Sequence, residues 1–174
     1  GWDKGDFLEE SSDVSAVVSF YGISDLMTIG EGLGEADAKV HASPAVTEAL
    51  LVHGAAFRDF PGMSILSDKE KAMAASPLGH VDGKEPPFFL WHGTDDKLVS
   101  PMQSARMFEA LRKAGVDVRY RLVEGAGHGD LVWYQAPVIR EVTAWFAEKL
   151  GPVAPVAPVE KRAGKTAGDG AGTL

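Results

Sequence analysis

Two short stretches carry side chains that could do chemistry together. His92-Gly93-Thr94-Asp95-Asp96 follows the apolar run Pro87-Phe88-Phe89-Leu90-Trp91, and Glu124-Gly125-Ala126-Gly127-His128-Gly129-Asp130 follows the alternating run Val116 to Leu122. If both runs are parallel strands of one sheet, their ends lie on the same edge about 4.8 Å apart, where open parallel sheets bind ligands. An Asp from the first loop can then reach His128. A carboxylate bonded to one imidazole nitrogen fixes the tautomer and stabilises the imidazolium, so the other nitrogen is free to act as a general base. Glycines 127 and 129 let the chain turn tightly around that histidine. The competing reading of the same Gly-His-Gly is a loop histidine making a structural hydrogen bond.

The elements that must position these loops are legible in the pattern. Val14-Ser15-Ala16-Val17-Val18-Ser19-Phe20-Tyr21, stopped by Gly22, is β-branched and almost continuously apolar, which predicts a parallel strand buried on both faces. Pro87–Trp91 predicts a central strand, entered through Pro86. Ser100, Pro101 and Gln103 have the spacing of a capping box, opening a helix with Ala105, Phe108 and Leu111 on one face and Gly115 as its stop. Val116, Val118, Tyr120 and Leu122 alternate with charge, as in a strand with one wetter face near a sheet edge. Strand, helix, strand makes a parallel crossover. From about Pro137 to Leu150, the residues Val138, Ile139, Val142, Trp145, Phe146 and Leu150 trace a helical stripe.

More than sixty residues separate the first two strands, too many for an ordinary crossover. Short helical signals at 43–51 and 67–75 and glycines at 30, 32, 34, 54 and 62 predict a helical cap inserted at about 27–85, roofing the edge where a pocket would form. Residues 151–174 are rich in Pro, Ala and Gly without periodicity and predict a disordered tail after a domain spanning 1–150.

The combination His92-Gly93-Thr94-Asp95-Asp96-Lys97-Leu98-Val99 and Gly125-Ala126-Gly127-His128-Gly129 closely resembles the acid and histidine motifs of α/β-hydrolases. Phe20-Tyr21-Gly22-Ile23-Ser24-Asp25-Leu26 resembles the segment following the strand after the nucleophile, and Ala75-Ser76-Pro77 the end of the cap, so the likeness extends over residues 13–150. The resemblance implies an α/β fold of parallel strands with flanking helices. It selects Asp96 as the acid, with Asp95 a neighbouring loop carboxylate and His92 a structural residue, and His128 as the base. The stretch Gly127 to Tyr134 is most similar to bacterial acetyl-esterase and lipase-like enzymes, including those acting on acetyl and feruloyl esters of plant polysaccharides. That likeness implies a small ester or an acylated carbohydrate as substrate, with Trp133 and Tyr134 as candidate substrate-binding residues, and it implies no cofactor.

One departure from the family is large. Its nucleophilic serine stands in a Gly-x-Ser-x-Gly elbow that precedes the acid and the histidine, and this sequence has no such string. The expectation is therefore the C-terminal half of a serine ester hydrolase whose nucleophile lies upstream, inactive alone and partnered by the missing N-terminal half. The alternative is a noncatalytic module kept for binding or assembly. Other classes fare worse. With 17 Lys and Arg against 25 Asp and Glu, the net charge of −8 opposes binding to phosphate backbones or anionic lipid, so neither nucleic acid nor membrane is expected as a partner. No apolar run approaches the about 18 to 20 residues of a membrane span, and Gly1 to Asp6 has no charged-then-apolar signal pattern. There is no cysteine, and His41, His53 and His80 have no ligand-like spacing, so metal binding is not expected and surface or turn roles are.

Overall fold

The computed structural model describes residues 6–56 and 58–151. The expected tail beyond Gly151 lies outside them. Three parallel strands, β1 (Val17–Phe20), β2 (Phe88–Gly93) and β3 (Val118–Val123), form one sheet in the order β1-β2-β3. Val17 pairs with Phe88 and Phe88 with Val118, so the three C-terminal ends finish side by side.

The central strand organises the core because its side chains alternate between two faces. On one face Phe89 and Trp91 pack with Trp133 and with Val138, Val142 and Trp145 of α5 (Ala136–Leu150). On the other, Leu90 packs with Met107 and Leu111 of α4 (Met102–Lys113) and with Val116. A helix therefore covers each face, and β2 is buried on both. The stripe foreseen for α5 is narrower than expected, since Ile139 and Leu150 are exposed. β3 is an edge strand with a wet face, as its alternation predicts. Arg119 and Arg121 on that face pair with Glu148 and Glu141 of α5.

Two expectations need correction. β1 is shorter than 14–21, half-buried along its length, and paired on one side only among the described residues. Gln103 does not close a capping box either. It is fully buried, and its Oε1 accepts from the backbone N–H groups of Ser24 (2.9 Å) and Asp25 (2.8 Å), so the start of α4 holds the loop after β1. Ser100 does cap α4, accepting from the Met102 N–H at 3.2 Å. Ser24 is buried in that junction.

Between β1 and β2 run three short helices, α1 (Glu35–His41), α2 (Thr47–His53) and α3 (Lys69–Ala75), with 3-10 turns before α1 (Leu26–Thr28), between α2 and α3 (Ile65–Ser67) and after α3 (Pro77–His80). α1 lacked any sequence signal strong enough to predict it. α3 is capped by Asp68, which accepts from the Lys71 N–H at 2.9 Å, and α2 starts four residues after the expected Ser43.

Candidate active site

The loops after β2 and β3 are stitched together by backbone before any side chain is considered. The Thr94 and Asp95 N–H groups donate to the carbonyls of Val123 (3.1 Å) and Ala126 (3.0 Å), and the Gly125 N–H donates to Thr94 Oγ1 (2.9 Å). Gly93 makes this approach possible, since a Cβ there would sit 2.0 Å from the Ala126 carbonyl oxygen. Asp95 thus contributes its backbone to the site, and its side chain points to solvent.

Asp96 turns inward and is 1% exposed. Its Oδ1 accepts from the N–H groups of Leu98 and Val99, both at 2.9 Å, and its Oδ2 lies 2.8 Å from His128 Nδ1. A second imidazole shares that oxygen. His92, fully buried, donates from Nε2 to the Val99 carbonyl at 3.0 Å, has the same nitrogen 3.3 Å from Asp96 Oδ2, and accepts at Nδ1 from the Ser104 hydroxyl at 2.7 Å. His92 is therefore the structural residue expected at the strand end, and it braces the Asp96 carboxylate.

Burial is the largest single influence on Asp96 and pushes its pKa up. The hydrogen bonds from His92, Val99, His128 and Leu98 together outweigh it and hold the carboxyl at about 2. A carboxyl depressed on folding stabilises the native state above its unfolded pKa, and that stability is lost as the pH falls through the folded value. The expected result is a loss of about 2 kcal/mol between about pH 4 and pH 2. Urea midpoints measured across that window should fall for the parent chain and lose this part of their pH dependence in Asp96→Asn.

His128 is held from behind by its neighbours. The carboxylate of Asp130 accepts from the Gly127 N–H, and the Trp133 indole N–H donates to the Gly127 carbonyl at 2.9 Å, so the peptide before the histidine is fixed at both ends. Tyr21 lies against the imidazole, ring centres 4.3 Å apart. It adopts φ 43°, uncommon for a residue with a Cβ, and is retained there by its N–H bond to the Trp91 carbonyl at 2.7 Å and by contact with Trp133. Burial first, then the neighbouring Tyr134 hydroxyl and the Asp96 charge, raise the Tyr21 phenol pKa, which keeps it neutral. Tyr21 was missed as a site residue. Its signal was its place at the C-terminal end of β1, the edge where the other two loops were sought.

The His128 side chain is 29% exposed, and Nε2 has no hydrogen bond to a described residue. It faces a cavity of about 360 Å³ whose walls include Tyr21, Ile23, Ile29, Leu98 and Val99, with His41, Thr47 and Glu48 from α1 and α2. Of the two aromatics expected at the pocket, Trp133 is instead a core residue, 2% exposed, its indole committed to Gly127. Its large apolar ring gains more from the core between sheet and α5 than a pocket wall would offer. Tyr134 is exposed beside Tyr21. His80 donates to the Ala74 carbonyl, as a turn residue would. His41 does not fit its expected surface role, because it pairs with buried Glu48. Among the described residues no group of three or more His, Cys, Asp or Glu could hold a metal.

Comparison with known proteins places this geometry. The BD-FAE family model matches residues 3–111, a stretch that includes Asp96 and ends before His128. Esterase LipQ of Mycobacterium tuberculosis is 34% identical over 122 residues, covering 68% of this chain and 25% of LipQ. The probable carboxylic ester hydrolase LipM of the same organism is 30% identical over 102 residues, 59% of this chain and 20% of LipM. The matched regions span 4% to 25% of the curated relatives' own lengths. Among solved structures, a truncated form of a carbohydrate esterase from gut microbiota superposes with a TM-score of 0.66 at 24% identity, over 83% of this chain and 46% of that one. A bifunctional GH43-CE protein of Bacteroides eggerthii gives 0.62 at 26% identity, over 84% and 17%. A three-stranded parallel sheet flanked by helices on both faces, shared with these structures, is part of an α/β-hydrolase fold, and the chain belongs to the BD-FAE family.

Proposed function

We propose that this chain supplies the acid and the base of a serine-type carboxylic ester hydrolase, with Asp96 orienting His128 and a serine from outside the present sequence as nucleophile. The observation that carries this reading is the 2.8 Å contact between Asp96 Oδ2 and His128 Nδ1, made by a buried, fully bonded carboxylate, with Nε2 left open towards a cavity. His128 Nε2 takes the serine proton as Oγ attacks the ester carbonyl, then returns it to the departing alcohol. Water repeats the sequence on the acyl-serine and releases the acid. Two features support a nucleophile from elsewhere: the absence of a Gly-x-Ser-x-Gly string, and the outer edge of β1, which pairs with no described strand.

The helical segment between β1 and β2 acts in this reading as a cap over the cavity, and exposed Tyr134 is left to meet the substrate, a small ester or an acylated carbohydrate. The names of the relatives, esterase and carbohydrate esterase, agree with that class. A fluorophosphonate probe tests the assignment. The purified chain alone should take up no label and should hydrolyse p-nitrophenyl acetate no faster than its His128→Ala variant. In the catalytically complete protein the labelled serine should map outside Gly1 to Leu174, and His128→Ala should abolish labelling. Label on a serine of this chain would overturn the assignment.

A further inference from the structure

The wall of the cavity opposite His128 carries a second polar pair that the proposed reaction does not use. His41 ends α1 and Glu48 lies in the first turn of α2, and Nδ1 and Oε1 are 2.6 Å apart with side chains only 17% and 8% exposed. The ring N–H donates to the carboxylate, which leaves Nε2 of His41 and Oε2 of Glu48 without a hydrogen bond to any described residue. The Thr47 hydroxyl beside them is likewise uncommitted. Apart from His128, the rest of the wall is Tyr21, Gly22, Ile23, Ile29, Leu98 and Val99. Glu48, but not His41, also borders a second cavity of about 460 Å³ lined by Leu26, Leu51, Val52, Lys71, Ala74 and Ala75.

As a fastening for two short helices this pair is a poor device, because withdrawing a carboxylate and an imidazole from water costs about as much as their attraction returns. As a recognition element it is well made. A few fixed polar groups in an apolar pocket are what orient a ligand, and a site built to bond a hydroxyl rejects esters that lack one, because its own groups would be left unpaired. We infer that His41 and Glu48 form the specificity element of the cavity, bonding hydroxyl groups of the ester while His128 works at its carbonyl. Glu48 Oε2 accepts from a hydroxyl, and His41 Nε2 bonds a second one.

The inference rests on the reading of His128 as the base, and the test separates the two. In the catalytically complete protein, kcat/KM is measured for p-nitrophenyl acetate, whose alcohol has no free hydroxyl, and for a mono-O-acetylated methyl xyloside, which has two. Glu48→Gln should lower the ratio of xyloside to nitrophenyl ester about tenfold or more, the effect of losing one hydrogen bond to a charged group. His41→Phe should move it the same way. An unchanged ratio in both variants, with turnover still abolished by His128→Ala, overturns this inference and leaves the base assignment standing. Turnover that survives His128→Ala overturns the base assignment instead. Should Glu48→Gln fold poorly by circular dichroism, the His41→Phe ratio decides.

Discussion

Asp96→Asn should lower kcat for ester hydrolysis about ten-thousandfold, while Asp95→Asn leaves it within a few-fold. The two carboxylates are neighbours in sequence, and what separates them is where each side chain goes. Asp95 contributes its N–H to the Ala126 carbonyl and extends into water. Asp96 holds His128 Nδ1. An amide at position 96 can keep the geometry while turning a donor towards the ring, which then holds its proton on Nε2 and cannot accept one from a serine. Steady-state kinetics on the complete enzyme reads both variants. Equal losses would show that the loop as a whole, and not the Asp96 carboxylate, is what turnover requires.

Gly93→Ala should destabilise the fold by about 3 kcal/mol and remove most of the activity with it. The added methyl would lie 2.0 Å from the Ala126 carbonyl oxygen, 2.6 Å from its carbon and 3.0 Å from its Cβ. Two of these obstacles are backbone and cannot turn aside, so the loops after β2 and β3 must part, and the Asp96–His128 contact opens. Chemical denaturation gives the first effect directly. A variant as stable as the parent would show that the loops slide past one another at little cost.

Much of this was legible in the sequence because the relevant signals are local. Period-two alternation at 116–122, the helix following Ser100-Pro101 and the stripe over 137–150 each depend on residues within one element, and the structure has the first two and part of the third. What escaped was nonlocal. Gln103 sits where a capping box would place it, yet its amide bonds the Ser24 N–H, 79 residues away, and nothing in the spacing distinguishes the two uses. The burial on both faces expected of β1 is only partial, because the apolar composition of a strand does not tell which elements are present to cover it. Tyr21 was hidden for a related reason: it acts by touching His128, a residue from another loop. Trp133 was drawn to the pocket by its closeness in sequence to His128, but the 3-10 turn at Leu131–Tyr134 swings its ring back under the sheet edge.

The crowding around Asp96 sets where a proton can rest. Two amides occupy one carboxylate oxygen and two imidazoles the other. A proton arriving on Asp96 would have to displace one of these four donors, so in the proposed reaction what His128 takes up at Nε2 would stay on the ring until the leaving group claims it. The pair would then behave as a one-proton store with a fixed counter-charge, and His92, tethered to Ser104 and Val99, would keep the store from discharging inward.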